Sequence, residues 1–577
     1  MFITLSFFVG DFVNLKNKYI SSAFLLLLSG IAVKLISAVY KIPLTSYIGA
    51  VGRGYFAYAY NLVMPVHIVT MGAFPVALSK LVSSYAAKND FESVAKLKKS
   101  STKVFFLVGS VSTVILTACA FIYNYYIVKA PQGIYTSLAL IPAVLLSCMS
   151  GGIRGYYEGM LDMKPTSISQ LIEALVKMIF GLLFAKLACV SLMNEYESSN
   201  TVLGHLAENE QTALSMIYPV SSAAAMLGVT LGSALSLCFL WTYSAFSKNN
   251  LPSVKASSQY SREILRFAFP IMVSSGVQSV FQFLDSSSIQ ILLDKTPLSM
   301  LKSEFSDALK LTAVIDSDLS TYAYGLHSCA LDFKNLIPGV TMALGVCAVP
   351  VISRAFDNSD KERLETLASS ILKYTAILSS LGGLALFLCS NDILSFLYSS
   401  SPDVSPAIDK IVKAYAVSVP VYSIAGTAVF FVQAIGMPQK SILPYAVCGV
   451  MRVALNFILM SKTSLLLFAP VISGAVGYLV LALLNLRVFK VKAALRLRLF
   501  SCVAAPILLA FVAGFVCNYA FEAAFIIQNG VVSCLTKCVF CSIIYLILCF
   551  LCRLLKFSDF FRYFNHKKIP ETLANTD

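Results

Sequence analysis

Long apolar stretches dominate the chain, and short polar segments separate them. Val104–Cys119, Leu138–Cys148, Leu384–Cys389 and Ile543–Cys552 are cores of such stretches. A helix needs about 20 mostly apolar residues to cross about 30 Å of hydrocarbon. The pattern therefore predicts an all-α polytopic membrane protein with about 14 transmembrane helices, at residues 20–47, 54–86, 102–128, 134–160, 165–193, 212–246, 263–293, 321–353, 367–390, 404–435, 438–461, 465–488, 497–521 and 528–555.

Composition agrees with this pattern. The 577 residues are 58% hydrophobic and only 13% charged, and the mean hydropathy is +0.78. A soluble domain carries about twice that charged fraction. The net charge of +15 is compatible with nucleic-acid binding, but the basic residues lie in short segments beside apolar spans. That distribution follows the positive-inside rule, and we expect no nucleic-acid partner.

The distribution of charge also predicts an orientation. If the N-terminus is inside, most Lys and Arg fall in inner segments such as 88–103 and 487–498. The segment between spans five and six carries Glu195, Glu197, Glu208 and Glu210 and no Lys or Arg. Since cytoplasmic loops are the basic ones, we expect both termini to be cytoplasmic in a multi-pass protein of the plasma membrane. No secretory signal peptide is recognisable at the N-terminus.

The two halves of the chain resemble each other weakly. The motifs Phe74–Lys80 and Val349–Arg354 each follow a Tyr-Ala-Tyr sequence, and an offset of 275 relates Lys177 to Arg452. Because six spans separate the copies, both halves point the same way across the membrane. This predicts two parallel six-helix lobes around a central cavity, a known transporter plan. The expected division is an N-lobe at 1–246, a cytoplasmic linker at 247–262, a C-lobe at 263–488, and two further helices with a cytoplasmic tail at 489–577.

Several cations fall deep within the predicted spans. Ionisable groups in hydrocarbon are costly and usually face a cavity or a partner. Lys34 and Lys41 are two helical turns apart, so they share a helix face, and neither has an acid nearby on that helix. Such a pair suits a phosphate or pyrophosphate, although Lys41 could instead be interfacial beside Pro43. The candidate substrate-binding residues are Lys34, Lys41, His67, Lys334 and Arg452; for His67, simple packing is the favoured alternative.

Three more buried charges are candidates for gating or ion coupling. Glu173 and Lys177 are four residues apart on span five and can pair along the helix, either as a structural pair or as a switchable gate. Asp285 has no partner on its own helix. It either pairs across the cavity with Lys34, Lys334 or Arg452, which we favour, or serves as an ion or proton site.

No catalytic motif is present, so we predict a transporter and not an enzyme, with no cofactor. The chain lacks a Gly-rich phosphate loop, HExxH and GxSxG. Cys538 with Cys541, and Cys549 with Cys552, form CxxC spacings, but both lie in the last apolar span without a nearby His. Cysteine there behaves as a small hydrophobic residue, and we predict neither a metal site nor a disulfide.

One long motif points to a family. The stretch Arg154–Glu173 resembles a signature of the stage V sporulation protein B group, in the polysaccharide-exporter branch of the multidrug/oligosaccharidyl-lipid/polysaccharide (MOP) flippase superfamily. Tyr40–Leu44, Gly72–Val82, Asp285 and Gln433–Pro438 resemble further stretches of that family. The resemblance implies 14 helices in two lobes around a V-shaped cavity that opens alternately to each side.

The resemblance also implies a cargo, an undecaprenyl-pyrophosphate-linked saccharide such as the peptidoglycan precursor lipid II, used for spore cortex. By similarity, basic residues of spans one, two and eight hold the pyrophosphate, a role that Lys34 or Lys41 and Lys334 fit. Two positions depart from the family pattern. His67 stands where related flippases carry arginine, and Glu158 stands where Gln is expected.

The sequence leaves alternatives open. One is an ion-coupled multidrug exporter of the same superfamily, which would need cavity acids to attract cationic drugs. Others are an exporter of a different lipid-linked polysaccharide unit and a membrane scaffold whose buried charges only join helices. The expected partners are a lipid-linked anionic saccharide, membrane lipids and, as a candidate class, cell-wall synthases.

Overall fold

The computed structural model describes residues 18–247, 252, 254–312, 314–462, 464–495, 497–524 and 530–555. Nearly all of this is helical. The helices are α1 Lys18–Ala87, α2 Phe91–Ile122, α3 Gly133–Leu140, α4 Pro142–Gly159, α5 Lys164–Ser199, α6 Glu210–Phe246, α7 Ser258–Asp294, α8 Leu298–Glu304, α9 Ser306–Leu309, α10 Leu319–Asp357, α11 Lys361–Leu397, α12 Val404–Ala434, α13 Ile442–Lys462, α14 Phe468–Ala493, α15 Ala505–Ala524 and α16 Gly530–Leu551. A two-residue hairpin pairs β1 Thr201–Val202 with β2 His205–Leu206.

The described residues contain 13 helical segments that are long and apolar enough to cross a membrane. The first of them, Leu28–Ala87, has 60 residues and as a straight helix would measure about 90 Å. This segment belongs to α1, which holds both predicted spans 20–47 and 54–86. The rings of Tyr40 and Tyr60 both lie over the amine of Lys177, at 5.5 and 5.3 Å. The chain therefore reverses between them, and α1 is two antiparallel arms, α1a (residues 18–48) and α1b (50–87). The all-α membrane fold is confirmed.

A single residue makes this reversal. Gly49 has φ 63° and ψ 178°, a conformation that is essentially restricted to glycine. A Cβ at this position would also lie 2.8 Å from the Tyr218 ring of α6. Two long helices are thereby joined without a loop.

The remaining connections alternate between the two ends of the bundle. We call the end that carries the β1–β2 hairpin and the Gly49 bend the hairpin end. There Lys129 forms an ion pair with Asp294 at 2.9 Å, and Tyr322 donates a hydrogen bond to Asp403 at 3.2 Å. These contacts place three further connections between spanning helices at the hairpin end: the one after α2, the one between α7 and α10, and the one between α11 and α12.

Two helices at the opposite end begin in the same way. Asp90 precedes α2 and Asp360 precedes α11, and each side chain accepts a hydrogen bond from the backbone N–H three residues on. The residue before each cap, Asn89 or Ser359, has a positive φ of 58° or 56°. An aspartate cap satisfies an otherwise free helix N–H. The recurrence of this detail in the third spanning helix of each half is consistent with the internal repeat.

The two halves meet closely at the hairpin end, where α1b crosses α10. Tyr58 stacks on Tyr324 with ring centroids 5.2 Å apart, and Asn61 donates a hydrogen bond to the Tyr324 hydroxyl at 2.5 Å. The backbones nearly touch, because a Cβ on Gly325 would lie 1.8 Å from the carbonyl oxygen of Ala50. Small residues allow such close helix packing in membranes.

The last two helices pack against the outside of the second half. Ile377 and Leu384 of α11 form a buried cluster with Ala513 of α15 and with Cys541 and Tyr545 of α16. These helices thus lie against α11, away from the crossing of α1b and α10.

Candidate functional site

The seam between α1 and α10 holds the first group of charges. Lys41 forms an ion pair with Asp332, with 2.5 Å between Nζ and Oδ1, and Arg53 binds the other oxygen of the same carboxylate. Arg53 is 1% exposed and also donates to the Ser328 hydroxyl at 3.5 Å. Two cations therefore share one acid, and the group keeps a net positive charge.

Lys34 extends the same seam. Its amine donates to the backbone carbonyl of Gly339 at 3.4 Å, and no carboxylate lies within ion-pair distance of it in the described part of the chain. Lys34 and Lys41 are seven residues apart, as are their α10 partners Gly339 and Asp332, so the matching faces of the two helices run side by side. The predicted shared face of Lys34 and Lys41 is confirmed. We call Lys34, Lys41, Arg53 and Asp332 the seam group.

Lys334 is only two residues from Asp332 but projects from the opposite side of α10. It is 9% exposed, and its amine lies 5.6, 4.4 and 5.9 Å from the ring centroids of Tyr415, Tyr422 and Tyr478. Aromatic faces attract cations, more strongly where water is excluded. Lys334 therefore lies inside the second half of the molecule and not in the seam.

Arg452 completes this second group. It pairs with Asp285 of α7 and lies 5.1 Å from the Tyr478 ring. Asn456 donates to Asp285 at 3.0 Å and to the Ser288 hydroxyl at 3.1 Å. Of the three partners predicted for Asp285, Arg452 is the one that it binds, and the pair lies within the second half. We call Asp285, Lys334 and Arg452 the C-lobe group.

The corresponding charges of the first half form a third group, and here one prediction is wrong. Glu173 bonds to Arg154 of α4 at 2.9 Å, and Arg154 also donates to Ser169 and Ser236. Lys177 is not the ion-pair partner of Glu173 among the described residues. Its amine lies instead between Tyr40 and Tyr60, where two rings replace a carboxylate as its neighbours.

Sequence reasoning missed two arginines as site residues. Arg53 lies four residues after the Gly49 bend and is buried because the α1 reversal leaves no loop to carry it. Arg154 lies near the end of α4, is 7% exposed and anchors Glu173. The nearby acids, Asp332 and Glu173, were the available signals. His67 is half-buried on α1b, and Thr70 donates a hydrogen bond to its carbonyl at 3.2 Å.

The predicted substrate residues therefore do not converge on one point. Lys34 and Lys41 lie in the seam, Lys334 and Arg452 lie beyond α10, and His67 lies on α1b. Helix α10 separates two groups of charges. The seam group has an excess of positive charge, and in the C-lobe group Asp285 offsets one of two cations. Counting Lys34, the seam group carries three cations and one acid.

Comparison with known proteins places this arrangement among membrane transporters. Residues 20–190 match the family model described as "Polysaccharide biosynthesis protein", and residues 311–458 match the MatE model. The chain is 19% identical over 477 residues to stage V sporulation protein B of Bacillus subtilis (strain 168), covering 82% of this chain and 83% of that protein.

Solved structures share the fold at low identity. An inward-facing multidrug resistance MATE family transporter of the MOP superfamily superposes with a TM-score of 0.59 at 14% identity, covering 81% of this chain and 98% of that one. The lipid II flippase MurJ in an inward closed conformation gives a TM-score of 0.58 at 14% identity, covering 92% and 97%. At this identity the likeness concerns the fold.

Proposed function

Because the chain belongs to the MOP superfamily of transporters, we propose that it is an alternating-access flippase for a polyprenyl-pyrophosphate-linked saccharide. The cargo that we propose is a peptidoglycan precursor such as lipid II, used for spore cortex synthesis. The headgroup would cross the bilayer between the two halves while the polyprenyl tail stays in lipid. We place the membrane as plasma membrane, the hairpin end outside and both termini in the cytoplasm.

The unbalanced charge of the seam group is the observation that carries this proposal. Asp332 can neutralise only one of Lys41 and Arg53, and Lys34, which is exposed, contacts a backbone carbonyl and no acid among the described residues. An excess of positive charge within the membrane-spanning helices is costly unless an anion compensates it. A pyrophosphate carries the required charge and accepts hydrogen bonds from several amines at once.

Each predicted residue then has a proposed part. Lys34 and Lys41 would contact the pyrophosphate, because they line one face of α1a beside α10. Lys334 would contribute from the other face of α10 when the halves rock, and Arg452 with Asp285 would hold α7 and α13 together. Glu173, Arg154 and Lys177 would fix the N-lobe helices, and His67 remains a candidate contact on α1b.

The test compares substitutions that remove charge with substitutions that keep it. In cells depleted of the native protein, Lys34→Gln and Lys41→Gln should fail to prevent accumulation of lipid-linked precursor on the inner leaflet. Lys34→Arg and Lys41→Arg should retain most of the activity. Lys310→Gln is the matched control, because Lys310 is 73% exposed and pairs only with Asp307 among described residues. The proposal would be contradicted if both Gln variants, at normal protein levels, supported normal precursor turnover.

A second candidate is an ion-coupled multidrug exporter, favoured by the MatE match and by the similarity to a MATE fold. Such a protein needs an acid that is free to bind cations. Both deep acids of α7 and α10, Asp285 and Asp332, already bind guanidinium groups. If depletion sensitises cells to cationic drugs and leaves precursor levels unchanged, the exporter is the correct assignment.

A further inference from the structure

Three cysteines from two helices come together where α16 packs on α11. Cys389 belongs to α11, and Cys534 and Cys538 lie one turn apart on α16. Their three sulfur atoms all lie within 4.8 Å of one another. Cys538 donates to Cys389 across 3.4 Å between the two Sγ atoms. The CxxC spacings in the sequence did not indicate this cluster, because Cys541 instead faces the buried contact with α15.

The spacing of these sulfurs suits a metal ion. Three thiolates around one ion at a metal–sulfur distance of about 2.3 Å have sulfurs about 4 Å apart. Thiolates are soft ligands that select Cu⁺ and Zn²⁺ over Mg²⁺ or Ca²⁺. The cluster thus needs only small side-chain adjustments to close around an ion.

The surroundings also fit a site that can be loaded. Cys389 is 1% exposed, while Cys534 and Cys538 are half-buried, so the cluster is anchored on one side and reachable on the other. Asp392 lies three residues after Cys389, Lys537 lies three residues after Cys534, and the two form an ion pair at 3.5 Å. Asp392 offers an oxygen as a fourth ligand for Zn²⁺.

We propose that Cys389, Cys534 and Cys538 form a thiophilic metal site that fastens α16 to α11. Binding of one Cu⁺ or Zn²⁺ forms up to three metal–sulfur bonds and releases up to three thiol protons to solvent, with no change of oxidation state. Cu⁺ is satisfied by the three sulfurs alone, whereas Zn²⁺ would recruit Asp392. The site joins the last helix to α11 of the second half, and it is independent of the transported cargo.

The test uses the full chain, purified in detergent under anaerobic, reducing conditions. Cu⁺ is titrated against a chromophoric Cu⁺ chelator, and Cd²⁺ is titrated as a spectroscopic substitute for Zn²⁺ with its thiolate absorption band as readout. We expect one ion per chain. Cys389→Ser and Cys538→Ser should weaken binding by more than about 100-fold. Substituting even the residues that hold metal ligands in place lowers metal affinity by about 10–100-fold, and these two variants remove a ligand itself.

Matched controls separate the site from the other thiols. Cys541→Ser and Cys549→Ser alter buried cysteines of the same helix and should bind the ion as the unaltered chain does. The ion should raise the thermal unfolding temperature of the unaltered chain and of both controls, because it binds only the folded state. It should not raise that of Cys389→Ser. Failure of the unaltered chain to bind either ion, or loss of Cys389 and Cys538 to a disulfide under the same conditions, would overturn the proposal.

Discussion

At the scale of single residues, the charges within the membrane-spanning helices divide into those that pair with an acid and those that have none among the described residues. Arg452 and Arg154 each pair with a carboxylate on a neighbouring helix. Lys177 and Lys334 lie against tyrosine rings, and Lys34 has a backbone carbonyl. The guanidinium groups of Arg452 and Arg154 therefore hold helices together, while the amines of Lys34, Lys177 and Lys334 keep a positive charge that an anion could use.

The Asp285–Arg452 pair should behave as a unit. Asp285→Asn or Arg452→Gln leaves a buried charge without its partner, and we expect each to lower the free energy of unfolding by about 3–5 kcal/mol. The double variant should lose clearly less than the sum, because neither charge is then left alone. Thermal unfolding of the four proteins in detergent measures the coupling energy, and strict additivity would contradict the assignment.

Because one carboxylate of the seam group serves two cations, we expect loss of the acid to destabilise the protein more than loss of one cation. Asp332→Asn leaves Arg53, which is 1% exposed, without a counter-charge, and should cost about 3 kcal/mol or more of stability. Lys41→Gln should cost little, because Arg53 and Asp332 still pair. Both are measured by thermal unfolding. Equal losses in the two variants would show that Lys41 is a structural residue and not a spare cation.

At the scale of elements, the Gly49 reversal imposes both a backbone and a packing constraint on the first half. Its φ and ψ exclude a side chain on conformational grounds, and Tyr218 fills the space that a Cβ would need. The α1a and α1b arms depend on this one residue for their antiparallel arrangement.

Gly49→Ala should therefore destabilise the protein by about 1–3 kcal/mol through backbone strain alone, with the Tyr218 contact adding to that. Gly30→Ala is the matched control, because Gly30 lies in the same helix and has nothing within 4 Å of its would-be Cβ. The control should be neutral or slightly stabilising. Adding Tyr218→Ala to Gly49→Ala should recover only part of the loss; full recovery would show that the clash, and not the backbone, sets the cost.

The elements were the most predictable level of the structure. Apolar length alone located the spanning helices, because a membrane helix must carry its own hydrophobic surface. The Gly49 reversal was less accessible, since a bend of one residue leaves no polar loop in the sequence. The pairing of Glu173 with Arg154 and not with Lys177 was also hidden. Spacing on one helix cannot show which neighbouring helix offers a better donor.

At the scale of the whole molecule, the two halves touch through glycine at the hairpin end. Gly54 and Gly325 bring α1b and α10 into backbone contact, and Tyr58, Asn61 and Tyr324 close over them. If the halves rock apart during transport, this contact must break together with the Lys129–Asp294 ion pair at the same end. The sequence predicted the two-lobe plan from its repeat, but the repeat could not show which end was joined.

Gly325→Val should keep these ends apart, because its Cβ would fall 1.8 Å from the Ala50 carbonyl oxygen. We expect faster amide hydrogen exchange in peptides that cover the hairpin-end parts of α1b and α10, with the rest of the protein unchanged. Gly276→Ala is the control, because only one atom, at 3.9 Å, approaches its would-be Cβ. Unchanged exchange in Gly325→Val would mean that the contact does not report lobe closure.

The loopless joint at Gly49 has a mechanical consequence. Lys34 and Lys41 lie on α1a, Tyr58 and Asn61 lie on α1b, and Gly49 alone joins the two arms. Because no loop between the arms can absorb a tilt of α1a, we expect such a tilt to move the Tyr58–Tyr324 contact as well. Binding of an anion at Lys34 and Lys41 and separation of α1b from α10 at the hairpin end would then be coupled through α1.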